Sequence, residues 1–294
     1  MLVPSSNGIN VDSAYSRIFE PTLHTNSFLV PGVSCTDKFT MNSAGQISVH
    51  KLPTNPIEPG TPGRDFSHTL QTDDLIPIVL NNNYMTSRKL YQVALNEIGA
   101  PMASATLQNA TEDAREGLEQ SALSCLATEI TATIAGGAVN KTTCKDLLLR
   151  ARGEISKKKG NANIVLASPD FYTALLQQAG AEFTPVHNDL ILTNGRVGSY
   201  YGFTIFEVNA IDAGTSFKYY NNASSLVSVT TANMKKNQFI MYDYEALSVI
   251  KNLAIFRMID GGKDFNGTLA QVELNAGLKV TTPDRGIRVT TDAS

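Results

Sequence analysis

Residues 141–159 concentrate the chain's positive charge. Seven basic residues (Lys141, Lys145, Arg150, Arg152, Lys157, Lys158 and Lys159) face two acidic ones, Asp146 and Glu154. The favoured reading is a solvated helix face whose last charges complement the helix dipole. The sharper alternative is a basic surface that meets phosphate in bulk, without reading bases. Other groupings carry less chemistry. Asp73-Asp74 is a carboxylate pair, but neighbours on a strand face opposite ways and cannot share a proton or a cation. Gly261-Gly-Lys-Asp264 has the flavour of a phosphate loop but lacks Gly-x-x-x-x-Gly-Lys-Ser/Thr, so it reads as a turn. His24, His50, His68 and His187 are scattered without ligand spacing, and there is no Gly-x-Ser-x-Gly. Cys35, Cys125 and Cys144 form no CxxC or Cys/His cluster, which argues against zinc and against a disulfide framework. No catalytic, cofactor-binding or metal-ligating residue is assigned, no cofactor is expected, and an enzyme is not expected.

Composition narrows the class further. In 294 residues, 24 Lys+Arg against 27 Asp+Glu give 24 − 27 = −3, with 42% hydrophobic and 17% charged residues. This excludes a disordered tail, collagen, a coiled coil and a protein that grips nucleic acid through summed charge. No apolar run reaches 18 residues and no signal-peptide pattern opens the chain, so no membrane partner is expected. Four Asn-x-Ser/Thr matches (Asn109, Asn140, Asn222, Asn266) need a secretory route that the sequence does not advertise. The expected compartment is a cytosol.

The elements that would position any surface fall into blocks. Residues 1–32 are polar and carry Pro4, Pro21 and Pro31, which predicts an extended arm. Residues 33–75 hold only 12 apolar residues in 43. Phe39 and Met41, then Asn42-Ser-Ala-Gly45, then Ile47 and Val49 predict two strands around a turn, followed by Pro53, Pro56, Pro59 and Pro62. So little apolar surface cannot close a core, so this hairpin must be a surface excursion or be covered by another molecule. Ile76–Leu80 predicts a short buried strand, and residues 84–98 (Met85, Leu90, Val93, Ala94, Ile98) a helix stopped by Gly99 and Pro101. The longest helix is expected over about 109–135, with Asn109 and Glu112 as a capping box and Leu123, Leu126, Ala127, Ile130 and Ile134 as its stripe.

A second helix is expected over 143–159. Thr143 and Asp146 would cap it, Leu147, Leu148, Ala151 and Ile155 form its face, and Gly160 supplies a left-handed stop. Asn163–Ala167 reads as a strand, followed by a helix capped by Ser168 with Pro169 at its first position and Gly180 as stop. Val197–Val208, Ser216–Tyr220, Gln238–Tyr242, Leu247–Met258, Leu274–Val280 and Ile287–Val289 are strand candidates. Helices in the middle with strands at both ends give an α+β class.

The order of these parts resembles tailed-bacteriophage major capsid proteins of the Hong Kong 97-type fold. Ile164-Val-Leu-Ala-Ser-Pro-Asp-Phe-Tyr172, Asn194-Gly-Arg-Val-Gly-Ser-Tyr-Tyr-Gly-Phe-Thr-Ile-Phe206 and Glu273-Leu-Asn-Ala-Gly-Leu-Lys-Val280 are similar to that family's passages. No single motif is diagnostic; order and spacing carry the likeness over most of the chain. It implies an N-terminal arm (1–32), an extended β-hairpin loop (33–75), and a peripheral domain with a long spine helix (76–180, with return strands 236–294). It also implies an axial domain (181–235). The implied function is mechanical: self-assembly into hexamers and pentamers of an icosahedral head enclosing double-stranded DNA. The implied partners are copies of itself, a portal protein, scaffolding or decoration proteins, and DNA held weakly and without sequence preference. The implied location is the virion, assembled in the host bacterial cytoplasm.

The family's Lys–Asn cross-link would need Lys38 or Lys51, Asn266 or Asn275, and Glu273 as base. None of these matches an alignable motif, and no cross-link is expected. With Met1 present and no long helical leader, a separate scaffold or none is expected. The alternatives are an encapsulin-like nanocompartment shell, a small-oligomer enzyme or binding module, and another virion component such as a tail-tube or decoration protein.

Overall fold

The computed structural model describes residues 27–36, 40–41, 47–51, 74–91, 100–182, 197–200, 202–211, 217–260 and 266–292. Strands β1 (Thr40–Met41), β2 (Ile47–Lys51) and β3 (Asp74–Ile78) make an antiparallel sheet of their own. The expected strand pair around residues 42–45 is present, with β3 added as a third member. Among Leu75–Ile78 of β3, Ile78 alone is buried, whereas Leu75 is 52% exposed and Val79 and Leu80 beyond it are also open. The strand expected at 76–80 exists, but it is not a buried one: among the described residues no second layer covers it.

Strand β4 (Asn82–Tyr91) stands where the helix was expected over 84–98, of which residues 92–98 lie outside the described residues. It pairs antiparallel with β13 (Gly267–Val280), which also pairs with β12 (Leu247–Asp260). Tyr84 and Leu90 turn inward while Met85 and Lys89 stay exposed, a period of two that tertiary pairing selects over the weak helical spacing.

Helix α1 (Ala100–Glu129) lies along β13. Thirty residues at 1.5 Å rise give about 45 Å, matching a 14-residue strand at about 3.4 Å per residue. The helix begins nine residues before the expected cap. Pro101 sits in its first turn, where a missing N–H costs nothing, so it opens the helix and does not close its predecessor. Asn109 and Glu112 are therefore interior, and the acidic residues earn a different use: Asp113 pairs with Arg88, and Glu112 and Glu119 with Arg115. The helix stops at Glu129, whose carboxylate takes Lys279 Nζ at 3.1 Å and the Val280 N–H at 2.8 Å. Ile134, expected at its end, sits on strand β5 (Thr133–Ala135).

Helix α2 (Cys144–Lys157), strand β6 (Ile164–Ala167) and helix α3 (Pro169–Glu182) follow. Ser168 caps α3 as expected, with the Phe171 N–H donating to its Oγ at 3.3 Å; the helix passes the expected stop at Gly180 by two residues. The Thr143 cap does not form, because its hydroxyl donates to the Asn140 carbonyl. At the other end Lys159, not Gly160, adopts the left-handed conformation, with φ 60°. Gly160 is needed for closeness: a Cβ there would lie 2.6 Å from Ile155 Cγ2. Ile155 is fully buried and stiff at χ1, so Gly160→Ala should cost about 1–2 kcal/mol, read as a lower urea midpoint at unchanged slope.

The remaining strands are β7 (Val197–Tyr200), β8 (Phe203–Glu207), β9 (Phe217–Tyr220), β10 (Leu226–Val229), β11 (Asn237–Tyr242) and β14 (Gly286–Thr290), with a one-turn helix α4 (Thr231–Lys235). The stretch expected as one strand over 197–208 is a hairpin turned at Gly202, whose φ is 81°. A six-stranded mixed sheet runs β5-β14-β11-β6-β8-β7. Its alternation sorts two cores. Ile164, Leu166, Ile240 and Tyr242 face α1, whereas Val165, Ala167, Phe239, Met241, Ile287 and Val289 face α2 and α3. Central strands β6 and β11 are buried on both faces, which is why Ile164–Ala167 and the last four residues of β11, Phe239–Tyr242, read as unbroken apolar runs. The sheet draws on residues 133–135, 164–167, 197–200, 203–207, 237–242 and 286–290, so its strands come from the segments 76–180, 181–235 and 236–294 alike.

Candidate functional site

The base of the excursion is held by asparagines that the sequence reading passed over. Asn82 is 3% exposed; its Nδ2 donates to the Tyr220 carbonyl at 3.0 Å and its Oδ1 accepts from the Tyr220 N–H at 2.7 Å. One side-chain amide thereby completes the free edge of β9 as a strand would. Asn222 reciprocates from the turn after β9, donating to the Pro77 carbonyl and accepting from the Val79 N–H, while Asn81 donates to the Asn221 carbonyl. Ser121 of α1 donates to the Lys218 carbonyl and fastens β9 to the long helix. The signal in the sequence was two asparagine runs, Asn81–Asn83 and Asn221-Asn222, which composition treats as turns. At Gly277 a Cβ would fall 2.9 Å from the Val79 carbonyl oxygen and from Ile78 Cγ2, so the exit of β3 crosses β13 at contact distance.

Apolar side chains remain uncovered around this clasp and at the far end of the long sheet. Leu75, Val79, Leu80, Tyr220 and Leu226 are exposed at the first place and Tyr91, Met258 and Ile259 at the second, with Met85 (73%) between them on β4. Groups of this kind mark contact surfaces more often than decoration.

The basic run lies along α2 and just beyond it. Lys157 pairs with Glu154, Lys158 reaches Asp284 at 3.7 Å, and Arg152 stacks 5.5 Å over the Phe203 ring. These are exposed groups, so the helix-complement reading accounts for part of the run. Of the other sequence candidates, His24, His68, His187, Asp73 and residues 261–264 lie outside the described residues. Among the cross-link candidates, Lys38 also lies outside. Lys51 is in register with Asp74 in the small sheet, Asn266 is exposed before β13, and Asn275 and Glu273 sit on β13. The chain therefore places Lys51 and Asn275 in different sheets. Among the described residues no group of three His, Cys, Asp or Glu could hold a metal ion. No helix there is long and apolar enough to cross a membrane.

A cleft of about 360 Å³ opens where the described arm meets α1, lined by Ser27, Leu29, Arg115, Glu119, Lys251 and Leu274 among others. Burial pushes the Glu119 carboxyl up to about 7, against the lowering effect of a Ser27 hydrogen bond and the Arg115 charge, with Glu112 and Glu116 raising it further. Phe28, Leu29 and Cys35 are buried in the main core, and the Thr36 N–H donates to the Leu247 carbonyl at 2.8 Å. The arm is thus stitched to the body from Ser27 to Thr36.

A family model described as phage capsid protein matches residues 91–289, well over half of the chain. The chain belongs to the phage capsid protein family. This capsid protein shares its Hong Kong 97-type fold with solved phage structures at low identity. The capsid of cyanophage P-SCSP1u is similar at TM-score 0.63 and 16% identity, over 100% of this chain and 97% of that one. The acid-stable capsid of Helicobacter pylori bacteriophage KHP30 gives 0.63 and 14%, over 99% and 100%. A chain from Mycobacterium phage Che8 gives 0.58 and 13%, over 94% and 99%. No match was found among curated proteins. As a phage capsid protein, it is a component of the virion.

Proposed function

We propose that this capsid protein builds hexamers and pentamers of an icosahedral head around double-stranded DNA, acting mechanically and without catalysis. The observation that carries the reading is the uncovered apolar surface at the base of the excursion: Leu75 on β3 and Val79 and Leu80 just beyond it, with no second layer over them among the described residues. Such a surface is stable when copies cover it, and a closed shell repeats that cover at every subunit. The extended loop (33–75), past the stretch up to Thr36 that is fastened to its own body, then serves as an inter-copy strap. The sheet topology supports a peripheral unit of α1 with β12-β13-β4, and an axial unit drawn around the six-stranded sheet with α2 and α3, wider than 181–235 alone. Assembly takes place in the host cytoplasm, with a portal protein and, where used, scaffolding or decoration proteins.

Electron microscopy of the purified protein tests this: closed shells with pentameric and hexameric capsomers are expected. A chain that stays a small oligomer under all assembly conditions contradicts it, and particles filled with a protein cargo in place of nucleic acid point to a nanocompartment. On a denaturing gel, particle protein should run as one band near 31.7 kDa; a ladder would show a cross-link after all.

A further inference from the structure

We infer that the cleft between β14, α4 and the end of α1 is a binding site for a phosphate-type oxyanion. The cleft encloses about 340 Å³, and its walls carry Arg288, Lys236, Asn233, Ser228 and Asp292. Arg288 is the centre of the argument. Its neighbours Ile287 and Val289 point into the core under α2 and α3, so alternation turns Arg288 to the opposite face of the sheet, past the last turn of α1. There its Nε donates to the Ile130 carbonyl at 2.9 Å, meeting the negative end of the long helix. That bond uses one of five N–H donors. No carboxylate pairs with the guanidinium among the described residues, although the side chain is half-buried. Desolvation lowers its pKa with nothing opposing, as expected for a partly buried cation that lacks a counter-charge.

Lys236 supplies the second positive charge. Among the described residues its one ion pair is a 3.4 Å contact with Asp292, both side chains being more than half exposed, so an incoming anion displaces it at little cost. Asn233 and Ser228 add neutral donors. A planar fork, an ammonium and neutral donors around a small open cleft match the charge and geometry of a tetrahedral oxyanion. Two sources share that chemistry: free orthophosphate, and a phosphodiester of nucleic acid.

The test is thermal unfolding of the purified protein in orthophosphate against chloride and acetate at matched ionic strength, with a labelled short DNA duplex as a second arm. Ten-millimolar phosphate should raise the wild-type Tm by about 2–4 °C over chloride, the size expected of a roughly millimolar site in a chain of this length. The shift should fall by at least half in Lys236→Gln and in Arg288→Lys. Lys236→Gln leaves the helix-end bond intact and decides the matter if Arg288→Lys does not fold. Duplex binding weakened several-fold by Lys236→Gln assigns the site to nucleic acid; unchanged duplex binding with a lost phosphate shift assigns it to the free ion. No phosphate-specific shift in the wild type, or an equal shift in Lys236→Gln, overturns the proposal. An equal shift with acetate also overturns it, in favour of a carboxylate.

Discussion

At pH 8 a Glu119→Gln variant should be about 3 kcal/mol more stable than the wild type, and at pH 4.5 the difference should shrink to less than about 0.5 kcal/mol. The folded protein holds the Glu119 proton up to about pH 7, because burial in the cleft beside Arg115 and Ser27 penalises the carboxylate. The unfolded chain releases the same proton near pH 4.5. Between those values the folded state binds more protons than the unfolded state. Stability therefore falls as pH rises through that window, and the loss is complete above about pH 7. At about 1.4 kcal/mol per pH unit, roughly two and a half units give the figure stated. Glutamine cannot ionise, and its carbonyl can still accept from Arg115, which now lies 2.8 Å from Glu119 Oε1. Urea titrations at pH 4.5, 6 and 8 measure the difference directly; parallel pH profiles for the two proteins would refute the assignment of the buried proton to this residue.

Asn82→Ala should cost about 2–3 kcal/mol and should also reduce the yield of closed shells. The alanine leaves the Tyr220 N–H and carbonyl without the amide that pairs both, at a site where Asn82 itself is almost fully enclosed. A lost hydrogen bond with one partner left behind costs about 1–3 kcal/mol, and water that reaches the edge of β9 recovers part of two such losses. The assembly defect has a separate cause. The clasp fixes the direction in which β3 leaves the body, so its loss frees the loop base that the shell must place against a neighbour. Asn82→Asp sharpens the comparison, since it keeps the shape but removes the donor to the Tyr220 carbonyl. Unfolding midpoints report the first effect, and sedimentation of assembly reactions the second. Wild-type shell yield from a destabilised Asn82→Ala protein would separate stability from loop placement and remove the clasp from assembly.

Much of the molecule could be read from local chemistry. Ser168-Pro169 opens its helix as expected because a hydroxyl and a missing N–H act within one turn of chain. Leu147, Leu148, Ala151 and Ile155 are all buried, as their spacing requires. The region 84–91 was misread because its apolar spacing fits a helix weakly and a strand weakly; ten paired residues on β13 decide the matter, and those partners lie almost two hundred positions away. Pro101 was read as a stop because a proline ends one helix and opens the next with equal ease. Thr143 and Gly160 were given capping roles by residue type, whereas the competing Asn140 carbonyl and the closeness of Ile155 are facts of packing.

Among the surfaces, the sequence flagged the basic run of α2 and the poorly covered excursion, both of which are properties of composition along the chain. It did not flag the asparagine clasp, the Glu119 cleft or the Arg288 cleft. Each of these joins residues from three or more separated segments, and each depends on which side of a strand or helix a side chain faces.

By itself, then, the amino-acid order determined the class of fold, the long helix, the capped helix after β6 and the shortage of apolar cover in residues 33–75. These follow from propensity and periodicity, which act over a few residues. The tertiary structure alone decided where α1 begins, that β4 is a strand, and which asparagines and charges meet, because pairing and burial energies depend on neighbours that only the folded chain brings together.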